Sequence, residues 1–138
     1  MTTRISHSTE RSSVGHKPEP VASPQRLFRA LGFSWAGLKA AWASEWAFRV
    51  DVVVFLVAAP LGLWLGSNGL ERALLIGSLF LVLIAELVNT AIEAVVDRIG
   101  PDRHALSQKA KDVGSAVVLL ALFNAGVIWA LILSSRFV

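Results

Sequence analysis

Residues 72–96 read RALLIGSLFLVLIAELVNTAIEAVV, a nearly unbroken apolar run. As a helix rising about 1.5 Å per residue it is long enough to cross a hydrocarbon core of about 30 Å. Few soluble folds can accommodate such a segment, yet it carries Glu86, Asn89 and Glu93. At spacings i, i+3 and i+7 these three side chains share one helix face, and Asp97 extends the stripe by another turn. An ionisable group at membrane depth costs at least about 2.5–3.5 kcal/mol, so it persists only with a partner, a cavity or a use. The stripe is therefore the first candidate for a functional site.

The rest of the chain fits the same setting. Of 138 residues, 54% are hydrophobic and only 17% charged, the profile of a membrane protein. With no cysteine, a disulfide framework, a thiolate metal site and a thiol nucleophile are all excluded. Residues 1–23 are rich in Ser, Thr, Pro and charge and read as a disordered tail. They contain no apolar stretch of the kind a secretory signal needs, and no metal role is expected for His7 and His16. From Pro24, a good first helical residue after a Ser23 cap, apolar and aromatic residues recur at helical spacing up to residue 49. Trp35, Trp42 and Trp46 alternate with Arg26, Arg29, Lys39 and Arg49, the pattern of an amphipathic helix lying in the membrane interface. Gly32 and Gly37 leave open one bent helix or two short ones. Glu45 is an acid among aromatics where the chain enters the bilayer.

Spanning segments are expected at about 50–66, with Pro60 inside, at 72–96 and at 113–133, joined by a turn at 67–71 and a charged loop at 97–112. Gly114, Ser115 and Ala116 offer close packing near one end of the third span. Asn124, in mid-span, suits a hydrogen bond between helices. The expected fold is an all-α membrane protein of three transmembrane helices plus an N-terminal amphipathic interfacial helix, one domain over residues 24–138. Basic residues set the orientation: seven of the 13 Lys and Arg lie in the first 49 positions, and Arg98, Arg103, Lys109 and Lys111 lie in or beside the charged loop. Arg72 and Arg136 alone flank the opposite ends. The positive-inside rule then puts the amino terminus and the 97–112 loop in the cytoplasm.

On that orientation Glu93 and Asp97 sit near the cytoplasmic surface and Glu86 lies about 10 Å deeper. Glu45 arrives from the interfacial helix at a similar height to the shallower acids. Carboxylates at a membrane surface, without thiolate or imidazole, suit a hard cation such as Mg²⁺, which binds one or two carboxylates plus substrate phosphates. Lys111 and the nearby arginines can neutralise a polyphosphate. Glu86 is a candidate general base whose depth restricts it to a hydroxyl near a lipid glycerol backbone. Phosphoryl transfer needs mainly such positioning and charge stabilisation. No Walker A sequence, glycine-rich kinase loop or HRD/DFG set is present, so neither a P-loop enzyme nor a protein kinase is indicated. A small ion or proton transporter is the alternative from another class, but its acids should line a route to both faces, and these do not. As a bland reading, Glu86 bonds across helices, Arg29 anchors headgroups and Lys111 with Asp112 forms a solvated loop.

The run ELVNTAIEAVVDRIG (86–100), followed by HALSQKAKDVGSAVV (104–118), closely resembles the signature of the prokaryotic integral-membrane diacylglycerol kinase family. RLFRALGFSWAGLKAAWASEWAFR (26–49) is similar to that family's amphipathic N-terminal region. The resemblance covers about residues 24–138. It implies a homotrimeric kinase of the bacterial inner membrane, with active sites shared between subunits, that transfers the γ-phosphate of ATP to diacylglycerol to give phosphatidic acid. A related branch of the family phosphorylates undecaprenol. By similarity Glu86 is the proton acceptor and Asn89 orients the site, while Glu45 and Glu93 match metal-carrying glutamates. Arg26, Phe33, Asp102, Arg103, His104, Lys111 and Asp112 match nucleotide-contacting positions. Ser34, Trp35, Lys39, Arg49, Arg72 and Ser115, with Glu86, match lipid-substrate contacts. The chain departs from the family pattern at Phe33 and Arg103, each in place of a Tyr, and at Asp51, in place of a Glu.

Overall fold

The computed structural model describes residues 24–100 and 104–135. The expected tail, residues 1–23, lies outside them, as do Asp102, Arg103 and Arg136. Four helices follow in order: α1 (Pro24–Ser44), α2 (Trp46–Leu65), α3 (Gly69–Ile99) and α4 (Ala105–Ser134). Among the described residues there is no strand. Two units are compact in themselves, one ending at Ser34 and one beginning at Trp35, and the second contains α2, α3 and α4. These last three helices are long and apolar enough to cross a membrane.

α1 is a single helix that runs through both Gly32 and Gly37. A glycine inside a helix costs about 1 kcal/mol relative to alanine, too little to interrupt a segment of 21 residues. The break falls instead at Glu45, whose backbone is extended (φ −104°, ψ 116°) and which precedes the first residue of α2. α2 stays helical through Pro60.

α3, at 31 residues, outruns its apolar window at both ends because each end has its own signal. At the start, the Asn68 side chain accepts from the Glu71 N–H at 2.9 Å. The Glu71 carboxylate in return accepts from Ser67 N–H at 2.7 Å and from Asn68 Nδ2 at 2.9 Å. This reciprocal cap satisfies donors that the first turn would leave open. At the other end Gly100 adopts φ +148°, a conformation that side-chain-bearing residues rarely take, and the helix stops. His104 caps α4, its Nδ1 accepting from Leu106 N–H at 3.2 Å.

α3 is the central helix and packs against both α2 and α4. Against α4, Val82 and Ala85 meet Ala121 and Ala125, with Val118 at the edge. Small side chains let two backbones approach closely where lipid removes the ordinary hydrophobic drive for association. Against α2, Phe55 and Phe80 meet edge to face, ring centres 4.6 Å apart. Large apolar side chains such as Val57, Phe80, Phe123 and Leu131 point outward. In water such a surface would be a liability; in a bilayer it is the solvated face.

Candidate active site

The stripe of polar residues on α3 faces inward. Glu86 is 5% exposed and Asn89 9%, while Glu93 is half-buried and Asp97 exposed, so burial falls steadily toward the Ile99 end of the helix. Asn89 Nδ2 donates to Glu93 Oε1 at 3.1 Å, one helical turn away. Its other polar atom, Oδ1, is buried without a partner. That oxygen abuts Gly114 on α4, where a β-carbon would collide with it. The small-residue packing expected near Gly114 thus has a specific consequence: only glycine leaves room for the Asn89 amide. Glu86 accepts no hydrogen bond within the described chain. Asp51, Glu93 and Glu45 lie near enough to act on it electrostatically, so acids from α2, α3 and the α1–α2 break surround one buried carboxyl.

A second layer of charge closes the same end of the bundle. Lys111 Nζ reaches across from α4 to Asp97 Oδ1 at 2.5 Å, the only salt bridge among the described residues. Asp97 follows Glu93 by one turn, so the contact draws the ammonium over the shallow end of the acidic stripe. An ammonium has three donors, of which this contact uses one. Next to it, Gln108 Nε2 donates to Asp112 Oδ1 at 2.7 Å. His104, assigned by resemblance to nucleotide contact, spends its Nδ1 on the α4 cap.

The lipid-contact candidates do not form one cluster. Trp35 and Lys39, with Leu38, Trp42, Phe48 and Val52, line an apolar hollow of about 420 Å³, and the Lys39 ammonium lies 5.5 Å from the Trp35 ring centre. Arg49 stacks its guanidinium 5.6 Å from the Trp46 ring centre, leaving its Nε buried and unpaired. Ser115 is exposed beside Gly114. Arg72 stands at the opposite end of α3, fourteen residues or about 21 Å along the axis from Glu86. There its Nε donates to the Gly66 carbonyl at 3.0 Å, closing the tight corner between α2 and α3. Arg26, Phe33 and Ser34 belong to the first unit, where all three are exposed and Ser34 Oγ donates to Ala30 O at 3.0 Å. Asp102 and Arg103 fall outside the described residues.

Residue reasoning did not single out Gln108 as Asp112's partner, or Thr90, whose hydroxyl is buried without a partner one turn from Glu86. An i, i+4 Gln–Asp pair on a helix was the available signal for the first.

The sequence profile described as prokaryotic diacylglycerol kinase matches residues 32–133. The chain belongs to the prokaryotic diacylglycerol kinase family. The diacylglycerol kinase of Escherichia coli (strain K12) is 50% identical over 112 residues, covering 81% of this chain and 92% of that protein. Those of Haemophilus influenzae and Pseudomonas aeruginosa are 45% and 47% identical, over 78% and 79% of this chain and 91% and 89% of theirs. A diacylglycerol kinase of this family is an enzyme, and its all-helical body with three membrane-length helices is the architecture expected from the residues. Family membership also removes the transporter and the purely structural subunit as readings of the buried acid. Both Glu86 and Glu93, with Asn89 between them, fall inside the matched segment.

Proposed function

We propose that the chain is an ATP-dependent lipid kinase that transfers the γ-phosphate of MgATP to the hydroxyl of diacylglycerol, giving phosphatidic acid at the cytoplasmic face of the bacterial inner membrane. The observation that carries this reading is Glu86, an almost fully buried carboxyl with no hydrogen-bond partner in the chain, set at bilayer depth beside a bonded amide–carboxylate pair. The relatives' shared name, diacylglycerol kinase, favours diacylglycerol over undecaprenol as acceptor.

In this mechanism Glu86 accepts the proton of the lipid hydroxyl as its oxygen attacks the γ-phosphorus, and ADP departs. Asn89 orients the reacting groups; its buried, unpartnered Oδ1 is available to an N–H or O–H donor of the bound substrates. Glu45 and Glu93 fit Mg²⁺ by donor chemistry: both are half-exposed carboxylates, and a hard cation needs only one or two of these beside phosphate oxygens and water. Bound there, Mg²⁺ would neutralise charge on the transferring phosphates. Lys111, held over the stripe by Asp97, contributes its two remaining N–H donors to the polyphosphate, and Asp112 with Arg26 completes the nucleotide contacts. Trp35, Lys39 and the hollow they line receive the lipid near the interface. The functional unit in this reading is a homotrimer with sites built from two chains, because one subunit has little charged surface for a whole site.

The test is a side-by-side assay of the purified protein with ATP, using diacylglycerol and undecaprenol as acceptors. Wild type should phosphorylate diacylglycerol; Glu86→Gln should bind nucleotide but turn over neither lipid. Retained turnover in Glu86→Gln would refute the base assignment, and preferential use of undecaprenol would overturn the substrate.

A further inference from the structure

Asn124 lies near the middle of the most apolar part of α4, about 16 Å from Val113 and about 13 Å from Leu133 along the axis. Both distances approach half the thickness of a hydrocarbon core, so neither headgroups nor bulk water reach this depth. The expected hydrogen bond to a neighbouring helix is not made within the chain: Asn124 is half-buried and its amide has no partner among the described residues. Other polar groups at bilayer depth are accounted for locally, as Ser78 is by its bond to the Leu75 carbonyl at 2.9 Å. An amide carries two donors and an acceptor with two lone pairs, and leaving them open in hydrocarbon is costly.

The surroundings of Asn124 show which face is involved. Leu120, Val127 and Leu131 stand three, four and seven residues away, on the same side of α4, and all three are exposed. They form an apolar stripe whose only polar member is Asn124. If that stripe met lipid alone, the amide would have no partner there. Acyl tails carry no donor or acceptor, so the missing partner is protein. A second copy of this chain is the protein present at equal concentration, and it brings the same self-complementary arrangement of an amide within an apolar stripe.

We propose that this stripe of α4 is a subunit–subunit surface, and that Asn124 makes a hydrogen bond across it to a helix of a second copy. The bond locks the position of one subunit against the other along the membrane normal, since sliding by a single turn would carry the amide back into hydrocarbon. This inference does not depend on the assignment of catalytic roles.

The test compares wild type with Asn124→Leu, Asn124→Gln and the control Phe123→Leu, which alters an outward-facing neighbour. The purified protein is diluted into increasing amounts of detergent, and the mole fraction at which subunits separate is read by chemical cross-linking. Interhelical hydrogen bonds in membranes contribute about 0.6 to 1.7 kcal/mol, so Asn124→Leu should weaken association roughly threefold or more. Asn124→Gln should retain most of it, and Phe123→Leu should match wild type. An unchanged or strengthened association in Asn124→Leu would overturn the proposal, as would equal weakening by Phe123→Leu. Helical content of each variant by circular dichroism separates loss of association from loss of fold.

Discussion

Gly114→Ala is the smallest change that reaches the candidate site from another helix. A β-carbon at residue 114 would overlap Asn89 Oδ1, while lying 3.4 Å from Asn89 Cγ and 3.6 Å from Ile92 Cδ1. Two responses are open. If the helices separate, overpacking costs about 1–3 kcal/mol and the protein loses stability. If the Asn89 amide turns instead, the backbone stays in place but Nδ2 leaves Glu93 Oε1, giving up a hydrogen bond to a charged acceptor worth about 1.5–3 kcal/mol. Rotation about the last side-chain bond is broad and soft, so the amide should yield before the helices do. Should the lost orientation be felt fully in the transition state, kcat falls roughly tenfold to a hundredfold, at about 1.4 kcal/mol per factor of ten. The assay is kcat for diacylglycerol phosphorylation in mixed micelles, alongside thermal unfolding of the same samples. The expected result is a large fall in kcat with a small shift in the unfolding midpoint. Gly77→Ala, where an added β-carbon meets nothing within 4 Å, serves as control. A Gly114→Ala enzyme with kcat within twofold of wild type would refute the claim that this glycine holds the Asn89 amide in place.

Other expectations concern separate parts of the molecule. Gly62→Ala would put a β-carbon 3.2 Å from Leu75 Cβ and 3.5 Å from Trp129 Cη2, where three helices meet, so the unfolding midpoint should fall by the equivalent of about 1 kcal/mol with KM values unchanged; a KM shift would show that the two ends of the bundle are coupled. Glu45→Ala and Glu93→Ala should each weaken Mg²⁺-dependent nucleotide binding, measured by titrating Mg²⁺ at fixed ATP; unaltered titrations in both would remove the metal assignment. Asp97→Ala releases Lys111, and because exposed ion pairs add little stability the unfolding midpoint should hardly move, whereas KM for ATP should rise and KM for diacylglycerol stay constant. A raised KM for both substrates would mean that Asp97 shapes the fold rather than the nucleotide contact.

Much of the architecture was legible in the residues because its causes are local. Hydropathy over twenty or more consecutive residues determines which segments can cross a membrane, and helical periodicity determines which side chains share a face. Hence three membrane-length helices and a tryptophan-rich leading helix follow from composition and spacing, and the Glu86, Asn89, Glu93 stripe from arithmetic on the helix repeat. Helix ends were less accurately placed. α2 begins four residues before its expected start and α3 ends three residues beyond, because the Glu45 break and the Gly100 conformation decide them, not hydropathy.

What the residues alone determined, then, is that this chain is helical and membrane-embedded, with acids on one side of its longest apolar segment. Only tertiary structure decided that Asn89 has its space because residue 114 lacks a side chain, that Lys111 is held across the loop by Asp97, and that Arg72 closes a corner far from Glu86. It also decided that Asn124 finds no partner inside its own chain. Each depends on which turn of one helix lies opposite which turn of another. That register is set by the packing of small and large side chains across an interface, and no local pattern in a single segment encodes it.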